Sequence, residues 1–454
     1  MTKVDSVVRA QRAELPGGQT AAAIGMRDGA IVAVAAPGPA GDALAASAGR
    51  VVDIDAEYGP GVVLLPGLVD THVHVNEPGR TEWEGFESAT LAAAAGGITT
   101  ILDMPLNSIP ATTTVSALQI KRAAARSRVH VDVGFWGGAV PGNVDDLAPM
   151  LAAGVFGFKC FLLPSGVPEF GHLADGDLRQ ALARLADLDG LLLVHAEDEA
   201  TIAAAARPAG RVFADFVAGR PDQAEVTAVA RVIAAAADTG ARVHIVHVAA
   251  AAVVDLLVEA RQRGVRITAE TCPHYLTFAA EELPDGAPQF KCCPPIRGRT
   301  DRDLLWQAVA AGHLDIVVSD HSPCTTALKR FDTGDLDEAW GGIASIQVSL
   351  PAVWTGARAR GFAPADVVRW MASGPADLAR LPRKGRIQVG ADADFCVFDP
   401  AGTTPVSAAE LLHRNPVSAY DGLVLDGAVR AAYLGGQLVD GHTARGRLLN
   451  GGGM

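Results

Sequence analysis

The sequence predicts an α/β fold, a (β/α)8 TIM barrel accompanied by a small β-sandwich domain that is built from both ends of the chain. From about residue 62 onward, short β-branched runs alternate with alanine-rich helical stretches, which is typical of repeated βα units around a parallel sheet. The β-branched runs number eight. No GxGxxG turn follows the first run, which favours a closed barrel over an open nucleotide-binding sheet.

The eight predicted barrel strands share short apolar runs bounded by glycine, polar or charged residues. They lie at residues 62–75, 98–104, 129–136, 155–162, 191–196, 243–248, 267–271 and 315–319. The helices between them are predicted from alanine-rich runs such as LAAAAGG and IAAAAD. Alanine combines high helix propensity with the small packing faces that barrel helices need.

The two ends of the chain are predicted to form the second domain. Residues 1–61 contain DGAIVAV and RVVDID, and residues 390–454 contain ADADFCVFD and AVRAAYLGGQLVDG, which indicate short strands and turns. Neither end is long enough to bury a comfortable core alone. We therefore expect both ends to pair in one β-sandwich, beside a barrel that occupies residues 62–389.

Composition and charge exclude several classes of protein. The 454 residues are 49% hydrophobic and 20% charged, far from the composition of a disordered chain. The 51 acidic and 38 basic residues give a net charge of −13, which argues against nucleic-acid and membrane partners. Six cysteines without a CxxC pair indicate reduced thiols, and the N-terminal segment MTKVDSVVRAQRAE lacks the apolar region of a signal peptide. We expect a soluble, cytoplasmic protein.

Two histidines in the first predicted barrel strand, LLPGLVDTHVHV, are the first candidate metal ligands. His72 and His74 are two residues apart, so strand alternation places both imidazoles on one side of the strand. In a barrel the C-terminal strand ends converge on one face and build the active site. Both imidazoles are therefore placed to bind one metal ion from inside the barrel.

Three other strand ends carry candidate ligands. LLLVHAED and RVHIVHVA end the fifth and sixth strands with His195 and His247, and DIVVSDHSPC ends the eighth with Asp320. Burying Asp320 after an apolar run would be costly without a cation to balance its charge. His244 has an odd spacing from His247, which predicts that it faces the opposite side of the strand and serves packing.

Lys159 interrupts the fourth strand, VFGFKCFL, among aromatic residues. A bare ammonium ion there would meet a desolvation cost and repulsion from a nearby metal. A lysine desolvated enough to lose its proton can add carbon dioxide. The resulting carbamate is an anion that can bridge two metal ions, and we expect this modification at Lys159.

Four histidines, one aspartate and one carbamate are more ligands than a single tetrahedral zinc requires. The surplus predicts two divalent ions, with zinc expected and cobalt, manganese or iron as alternatives, roughly 3.5 to 4 Å apart. Such a pair lowers the pKa of a bridging water toward neutrality and polarises a substrate carbonyl. Asp320 is predicted to take the proton from the attacking hydroxide and to deliver it to the departing nitrogen. This chemistry indicates amide hydrolysis.

These motifs together resemble the cyclic amidohydrolase branch of the amidohydrolase superfamily, which contains dihydroorotases, hydantoinases and allantoinases. PGLVDTHVH, GFKCF, VHAE, IVHV and SDHSP occur in the family order, and the likeness spans nearly the whole chain. The resemblance implies a homotetramer that acts on a small cyclic ureide. It also implies a metal-binding set with Lys159 as N6-carboxylysine, consisting of His72, His74, Lys159, His195, His247 and Asp320.

Within this branch, several segments resemble allantoinases, including NEPGRTEWEGFESAT, DMPLNSIPATTT and KCCPPIR. Asn76 stands where dihydroorotases usually place an arginine that grips a substrate carboxylate. Pro164 stands where hydantoinases commonly place a tyrosine. The resemblance implies hydrolysis of allantoin to allantoate. The alternatives are a hydantoinase (dihydropyrimidinase), a dihydroorotase, or a non-catalytic relative that serves as a scaffold.

Four residues near the predicted site are candidate substrate contacts: Asn107, Ser165, Cys293 and Ser322. Each is equally compatible with capping a turn or satisfying local backbone groups. The pair Cys292 and Cys293, which precedes two prolines, is interpreted as part of a rigid loop near the barrel mouth. His274 and His321 flank the predicted site and are expected to orient ligands or substrate.

Overall fold

The computed structural model describes residues 4–205 and 207–451. The N-terminal region forms five strands and two short helices. They are β1 (Val4–Leu15), β2 (Gly18–Arg27), β3 (Ala30–Ala35), α1 (Pro39–Ala46), β4 (Ala48–Asp53), α2 (Ile54–Tyr58) and β5 (Val63–Pro66). The central region supplies the next nine strands. They are β6 (Leu68–Val73), β7 (Ile98–Asp103), β8 (Asp132–Phe135), β9 (Gly137–Gly138), β10 (Phe158–Phe161), β11 (Leu191–His195), β12 (Arg242–Ile245), β13 (Ile267–Thr271) and β14 (Ile316–Val317).

The helices of the central region follow and separate these strands. They are α3 (Phe86–Ala95), α4 (Val115–Ala125), α5 (Leu147–Ala152), α6 (Asp175–Asp187), α7 (Glu199–Ala205), α8 (Phe213–Ala218), α9 (Asp222–Thr239), α10 (Val253–Gln262), α11 (Pro273–Thr277), α12 (Arg299–Ala311), α13 (Ser349–Ala359), α14 (Pro364–Val368) and α15 (Gly374–Leu378). The chain ends with β15 (Phe395–Pro405), β16 (Val424–Leu434) and β17 (Gln437–Leu438).

The central strands form a closed parallel barrel. From β6 to β14 neighbouring strands pair in chain order and in parallel register, and β8 and β9 are two pieces of one strand on either side of Trp136. The segment that follows β14 closes the barrel against β6 through a parallel bridge between Val73 and His321, and the His74 N–H donates to the His321 carbonyl at 2.8 Å. The predicted eight-stranded barrel is therefore confirmed.

Both ends of the chain contribute to a second sheet. Its strand order is β17-β16-β15-β5-β1-β2-β3, with β4 paired to β1. β5 runs antiparallel to β15, so segments more than 300 residues apart in sequence are hydrogen-bonded neighbours. This β-rich domain from the two termini agrees with the predicted fold class. The division of the chain at residues 61 and 389 stays a prediction.

The predicted first barrel strand, 62–75, is two strands that belong to different sheets. β5 pairs with the terminal sheet and β6 with the barrel, and Gly67 lies between them. A Cβ atom on Gly67 would lie 2.1 Å from the Thr99 hydroxyl oxygen, so this crossing requires a residue without a side chain. The continuous apolar run gave no signal for the break.

Apolar side chains fill the barrel interior and the space between its strands and helices. The interior contains Val69, Leu102, Trp136 and Leu193, and the Trp136 indole N–H donates to the Thr71 carbonyl at 2.8 Å. Small buried alanines of α3 lie in the layer outside the strands, as its composition predicts. No helix within the described residues is long and apolar enough to span a bilayer.

Candidate metal centre

A single cavity of about 400 Å³ collects the residues that the sequence singled out. It lies where β6, β10, β11 and β12 end, at the C-terminal face of the barrel. All six candidate metal ligands and all four candidate substrate contacts line it. They are His72, His74, Asn107, Lys159, Ser165, His195, His247, Cys293, Asp320 and Ser322.

His72 and His74 share the carboxylate of Asp320. Their Nε2 atoms lie 3.1 and 3.5 Å from Asp320 Oδ1, and the two rings have centroids 5.4 Å apart. One ligand atom from each residue lies within 4.8 Å of the others, a spacing that one metal ion could join. His72 at the end of β6 and His74 one residue beyond the strand therefore share the face that their spacing predicts.

His195 and His247 form the second pair of imidazoles, with ring centroids 4.5 Å apart. His247 also lies near the first pair, since its ring centroid is 5.5 Å from that of His72. His247 and Asp320 have φ angles of 41° and 43°, in the left-handed region that non-glycine residues rarely adopt. This conformation at two strand ends turns the side chains into the cavity, and such strain is concentrated at functional sites.

Lys159 is 1% exposed, and its ammonium nitrogen lies 5.2 Å from the centroid of the Phe161 ring. Burial lowers the pKa of Lys159 to about 8, although the carboxylates of Glu270 and Asp320 favour the charged form. A substantial fraction of the amine is therefore neutral near physiological pH. The neutral amine is the form that reacts with carbon dioxide.

Three imidazoles of the site, those of His74, His195 and His247, are shifted by burial toward the neutral form that binds metals. Burial lowers the pKa of His74 to about 4 and also lowers the pKa values of His195 and His247. For Asp320, burial favours the protonated form, but the surrounding histidines outweigh it and hold the pKa well below its usual range. The site thus combines neutral nitrogen donors with an ionised carboxylate.

Two fully buried glutamates, which the sequence analysis missed, hold the ligand histidines. Glu197 Oε2 accepts from His195 Nε2 at 2.7 Å, and Glu270 Oε1 contacts His72 Nδ1. Each contact leaves the other ring nitrogen available for a metal ion. Glu197 could have been recognised from its place two residues after His195, whereas Glu270 carries no local signal because its partner is almost 200 residues away.

The prediction that His244 faces away from the site and serves only packing is wrong. His244 Nε2 lies 2.9 Å from Glu270 Oε2, so it binds the same carboxylate that contacts His72. His244 Nδ1 contacts the Thr268 hydroxyl at 2.8 Å. Strand alternation ends with β12 at Ile245, and the left-handed φ of His247 breaks the spacing rule on which the prediction depends.

The four candidate substrate contacts differ in what their side chains already bind. The Ser322 hydroxyl donates to Asp320 Oδ1 at 3.0 Å, which ties it to the site chemistry. The Ser165 hydroxyl is 2.6 Å from the Phe170 carbonyl, so its hydrogen is used within its own loop. Asn107 has a left-handed φ of 66° at the cavity wall, and Cys293 is a free, half-buried thiol there.

Three further residues that the sequence singled out lie behind the cavity: Asn76, His321 and His274. The Asn76 amide donates to the Pro323 carbonyl at 3.3 Å and is 1% exposed, so it lies outside the cavity lining. His321 is tied to neighbouring loops, because its Nε2 donates to Glu84 at 3.2 Å and its Nδ1 accepts from the backbone. His274 is buried beside Asp320, and both its ring nitrogens lack a hydrogen-bond partner within the described residues.

The donor set fits a pair of divalent cations. It offers four imidazoles, one carboxylate and one lysine able to become an anion, all facing the same cavity. Within the described residues the Asp320 carboxylate has no arginine or lysine partner at salt-bridge distance, and its contacts are two histidines and the Ser322 hydroxyl. A cation from outside the chain would therefore complete the charge balance of the site.

The amidohydrolase family matches residues 63–439, which covers the barrel and most of the C-terminal strands. The chain belongs to the amidohydrolase family. The predicted family and the predicted hydrolase class are confirmed. This amidohydrolase is 52% identical to an allantoinase of Streptomyces avermitilis, over 99% of both chains. It is 44% identical to an allantoinase of Saccharomyces cerevisiae, over 83% of this chain and 82% of the yeast protein.

Solved structures of the same branch have the same architecture. An L-hydantoinase (dihydropyrimidinase) from Arthrobacter aurescens is 29% identical and superposes with a TM-score of 0.87, over 99% of this chain and 97% of the hydantoinase. A dihydropyrimidinase from Brevibacillus agri is 26% identical, with a TM-score of 0.88 over 99% and 100% of the two chains. The barrel and the terminal sheet of this amidohydrolase are therefore shared along nearly the full length of both relatives.

Proposed function

We propose that this amidohydrolase opens the hydantoin ring of allantoin to give allantoate. One observation carries the proposal: all six candidate metal ligands line one cavity in a chain that is 52% identical to an allantoinase along 99% of its length. A cavity of about 400 Å³ is in the size range of small-molecule sites. Allantoin is a small cyclic ureide and fits a cavity of this volume.

Two divalent ions would be held by the two imidazole pairs, the carboxylate of Asp320 and a carbamate on Lys159. In forming the carbamate, the neutral Lys159 amine attacks carbon dioxide, a new N–C bond forms, and the nitrogen gives up one proton to solvent. Burial supports this step because it raises the fraction of neutral amine. When bound, the ions supply an activated water and polarise the ring carbonyl.

Asp320 is placed to move the proton during ring opening. Its carboxylate contacts the first histidine pair and accepts a hydrogen bond from Ser322 at 3.0 Å, so its orientation is set from two sides. Asp320 takes the proton of the attacking hydroxide as the new C–O bond forms and the carbonyl electron pair moves to oxygen. It then delivers that proton to the ring nitrogen as the C–N bond breaks. The products are a carboxylate and a ureido group.

Parallel turnover assays on four cyclic amides test the proposed substrate. We expect purified protein to hydrolyse allantoin much faster than hydantoin, dihydrouracil or dihydroorotate, with metal content measured on the same sample. Fast hydantoin opening beside negligible allantoin hydrolysis would replace the proposal with a hydantoinase. A protein with no turnover and no stoichiometric metal would instead be a scaffold relative.

Intact mass under gentle conditions tests the carbamate on Lys159. We expect one added carbon dioxide, which acid treatment removes. Lys159→Ala is expected to lose metal and activity together, with partial rescue by short-chain carboxylates that occupy the place of the carbamate. Full activity of Lys159→Ala without such a supplement would contradict the bridging role.

The family resemblance extends the proposal to zinc as the metal, a homotetramer and a cytoplasmic location. Elemental analysis of protein purified from its natural host identifies the metal. Light scattering on the same preparation gives the mass of the assembly. A monomer, or a protein that contains only manganese or iron, would change these parts of the proposal and leave the substrate assignment intact.

A further inference from the structure

A chain of polar contacts leads outward from His195 to the side wall of the cavity. His195 Nε2 donates to Glu197 Oε2 at 2.7 Å, and the same glutamate receives the guanidinium of Arg220. Arg220 Nε lies 3.1 Å from Oε1, and Nη2 lies 2.7 Å from Oε2. This two-pronged geometry fixes both the position and the plane of the carboxylate.

The contacts decide which nitrogen of His195 faces the cavity. A carboxylate that is bound to a guanidinium accepts hydrogen bonds, so His195 Nε2 carries the hydrogen. Nδ1 is then the nitrogen with the free lone pair, and the ring orientation follows the plane of the Glu197 carboxylate. Since the guanidinium holds that plane, Arg220 controls the orientation of His195 without touching it.

Arg220 reaches Glu197 from a separate segment of the chain. It lies in the turn between α8 and α9, and its backbone carbonyl accepts from Arg297 Nη1 at 2.8 Å. Its side chain is 20% exposed and lines the cavity, whereas Glu197 is completely buried. Without Arg220, the Glu197 carboxylate would keep a contact with the imidazole but would lose the partner that fixes its plane.

The side chains of the other imidazole pair are held by groups other than Glu197 and Arg220. His72 is held by Glu270, and His74 contacts Asp320. Arg220 therefore acts on His195, whose ring centroid is 4.5 Å from that of His247. We propose that Arg220 is a positioning residue that orients His195 through Glu197, so that its loss removes one of the two metal ions and spares the other. This inference rests on the proposed binuclear function.

Metal stoichiometry of Arg220→Ala tests the inference. At a fixed free zinc concentration we expect about two ions per chain in the wild type and about one in Arg220→Ala. We expect the affinity for the lost ion to fall about 10- to 100-fold, the usual effect of removing a group that orients a ligand. Added guanidinium ion, which fits the vacated place, is expected to restore part of the second ion and of kcat, with little change in KM.

Arg231→Ala is the matched control. Arg231 binds Asp198, the neighbour of Glu197, through Nη1 at 2.7 Å, but Asp198 contacts no ligand histidine. We expect Arg231→Ala to lose comparable thermal stability and to keep both ions. If Arg220→Ala also keeps both ions, with a thermal midpoint like that of the control, Arg220 is merely structural and the inference is overturned.

Glu197→Gln provides the same test without a loss of side-chain volume. The amide keeps a weak acceptor for His195 but lacks the charge that binds Arg220, so we again expect about one ion per chain. Two ions in this variant would overturn the inference even if Arg220→Ala failed to fold. A wild-type protein without bound ions would overturn the proposed function itself, which distinguishes the two failures.

Discussion

Two buried clusters of ligand-type side chains in this protein are equally compact but differ in composition and in the charges around them. In each, three side chains bring one ligand atom within 4.8 Å of the others. The first lies at the barrel mouth and comprises His72, His74 and Asp320. The second lies at the junction of the barrel with the terminal sheet and comprises Asp132, Asp392 and Asp394.

The junction cluster contains its own cation. Lys384 Nζ lies 2.6 Å from Asp132, 2.9 Å from Asp392 and 2.5 Å from Asp394, and the lysine is only 4% exposed. Arg447 covers the outer side, with Nη2 2.6 Å from Asp132 and 2.8 Å from Asp392. Burial tends to raise the pKa of Asp392, but Lys384 and Arg447 outweigh it and hold the pKa below its usual value.

The mouth cluster opens onto a cavity and has no cation of comparable strength. Asp320 contacts imidazoles, and burial lowers the pKa of the nearby Lys159 to about 8. A cluster of acidic and histidine side chains therefore indicates a metal site only where the chain itself supplies no cationic partner. The following four predictions test this distinction.

The largest expected effect is that of Asp320→Asn, which removes the proposed proton carrier at the mouth. We expect kcat to fall about 10²- to 10⁴-fold, the usual contribution of general acid–base catalysis. Steady-state assays with allantoin measure the loss. The matched change at the junction, Asp132→Asn, should lower the unfolding midpoint and leave kcat nearly unchanged. A similar loss of kcat in both variants would abolish the distinction.

Lys384→Met tests the junction directly. Removal of the ammonium group leaves three buried carboxylates without their central partner, and we expect the free energy of unfolding to fall by about 3 to 5 kcal/mol. Urea unfolding of wild type and variant measures this difference. Metal content and kcat per folded molecule should stay the same. Loss of metal at an unchanged unfolding midpoint would mean that the two clusters have been interpreted the wrong way round.

A chelator is expected to remove metal from the cluster at the barrel mouth and to leave the junction cluster unchanged. A ligand at one hundred times its Kd stabilises the folded state by about 2.7 kcal/mol, so metal removal should lower the unfolding midpoint correspondingly. Readdition of zinc with bicarbonate should restore both the midpoint and activity. Lys384→Met should show the same chelator-induced shift as the wild type. A shift absent from that variant alone would place a metal at the junction.

The smallest effect is expected at the exposed ion pairs of Asp189. Comparing them with the junction shows how much burial adds to the stability that an ion pair contributes. Hydrogen bonds from Arg380 and Arg266, each at 2.5 Å, lower the pKa of Asp189 to about 2. The ionised Asp189 carboxylate therefore stabilises the folded state. This stabilisation is complete above the ordinary aspartate pKa and disappears as the pH falls from about 4 to about 2. Because the side chain is 50% exposed, solvent screening should keep the effect below about 1 kcal/mol.

Unfolding curves of wild type and Asp189→Asn at several pH values measure this difference. The wild type should lose slightly more stability between pH 4 and 2 than the variant does. A difference comparable with that of Lys384→Met would show that burial is not what makes the junction strong.

Particular residues show how far sequence reasoning reached. His72 and His74 were found by strand alternation, and Lys159 and Asp320 because a charged residue inside an apolar strand is costly to bury. His244 was misassigned, because the alternation rule fails where the backbone leaves the strand at His247. The success at His72 and the failure at His244 depend on the same alternation rule, applied inside and outside a regular strand.

The sequence by itself determined the parallel barrel, the β-rich ends and the residues at the strand ends, because apolar periodicity and side-chain type act over a few neighbouring positions. Only the tertiary structure decided which carboxylate holds which histidine, and that Lys384 reaches Asp132 across 252 positions of the chain. Those contacts depend on how distant segments pack, and no local pattern encodes a distance between them. The partner of a buried charge therefore becomes apparent only in the folded molecule.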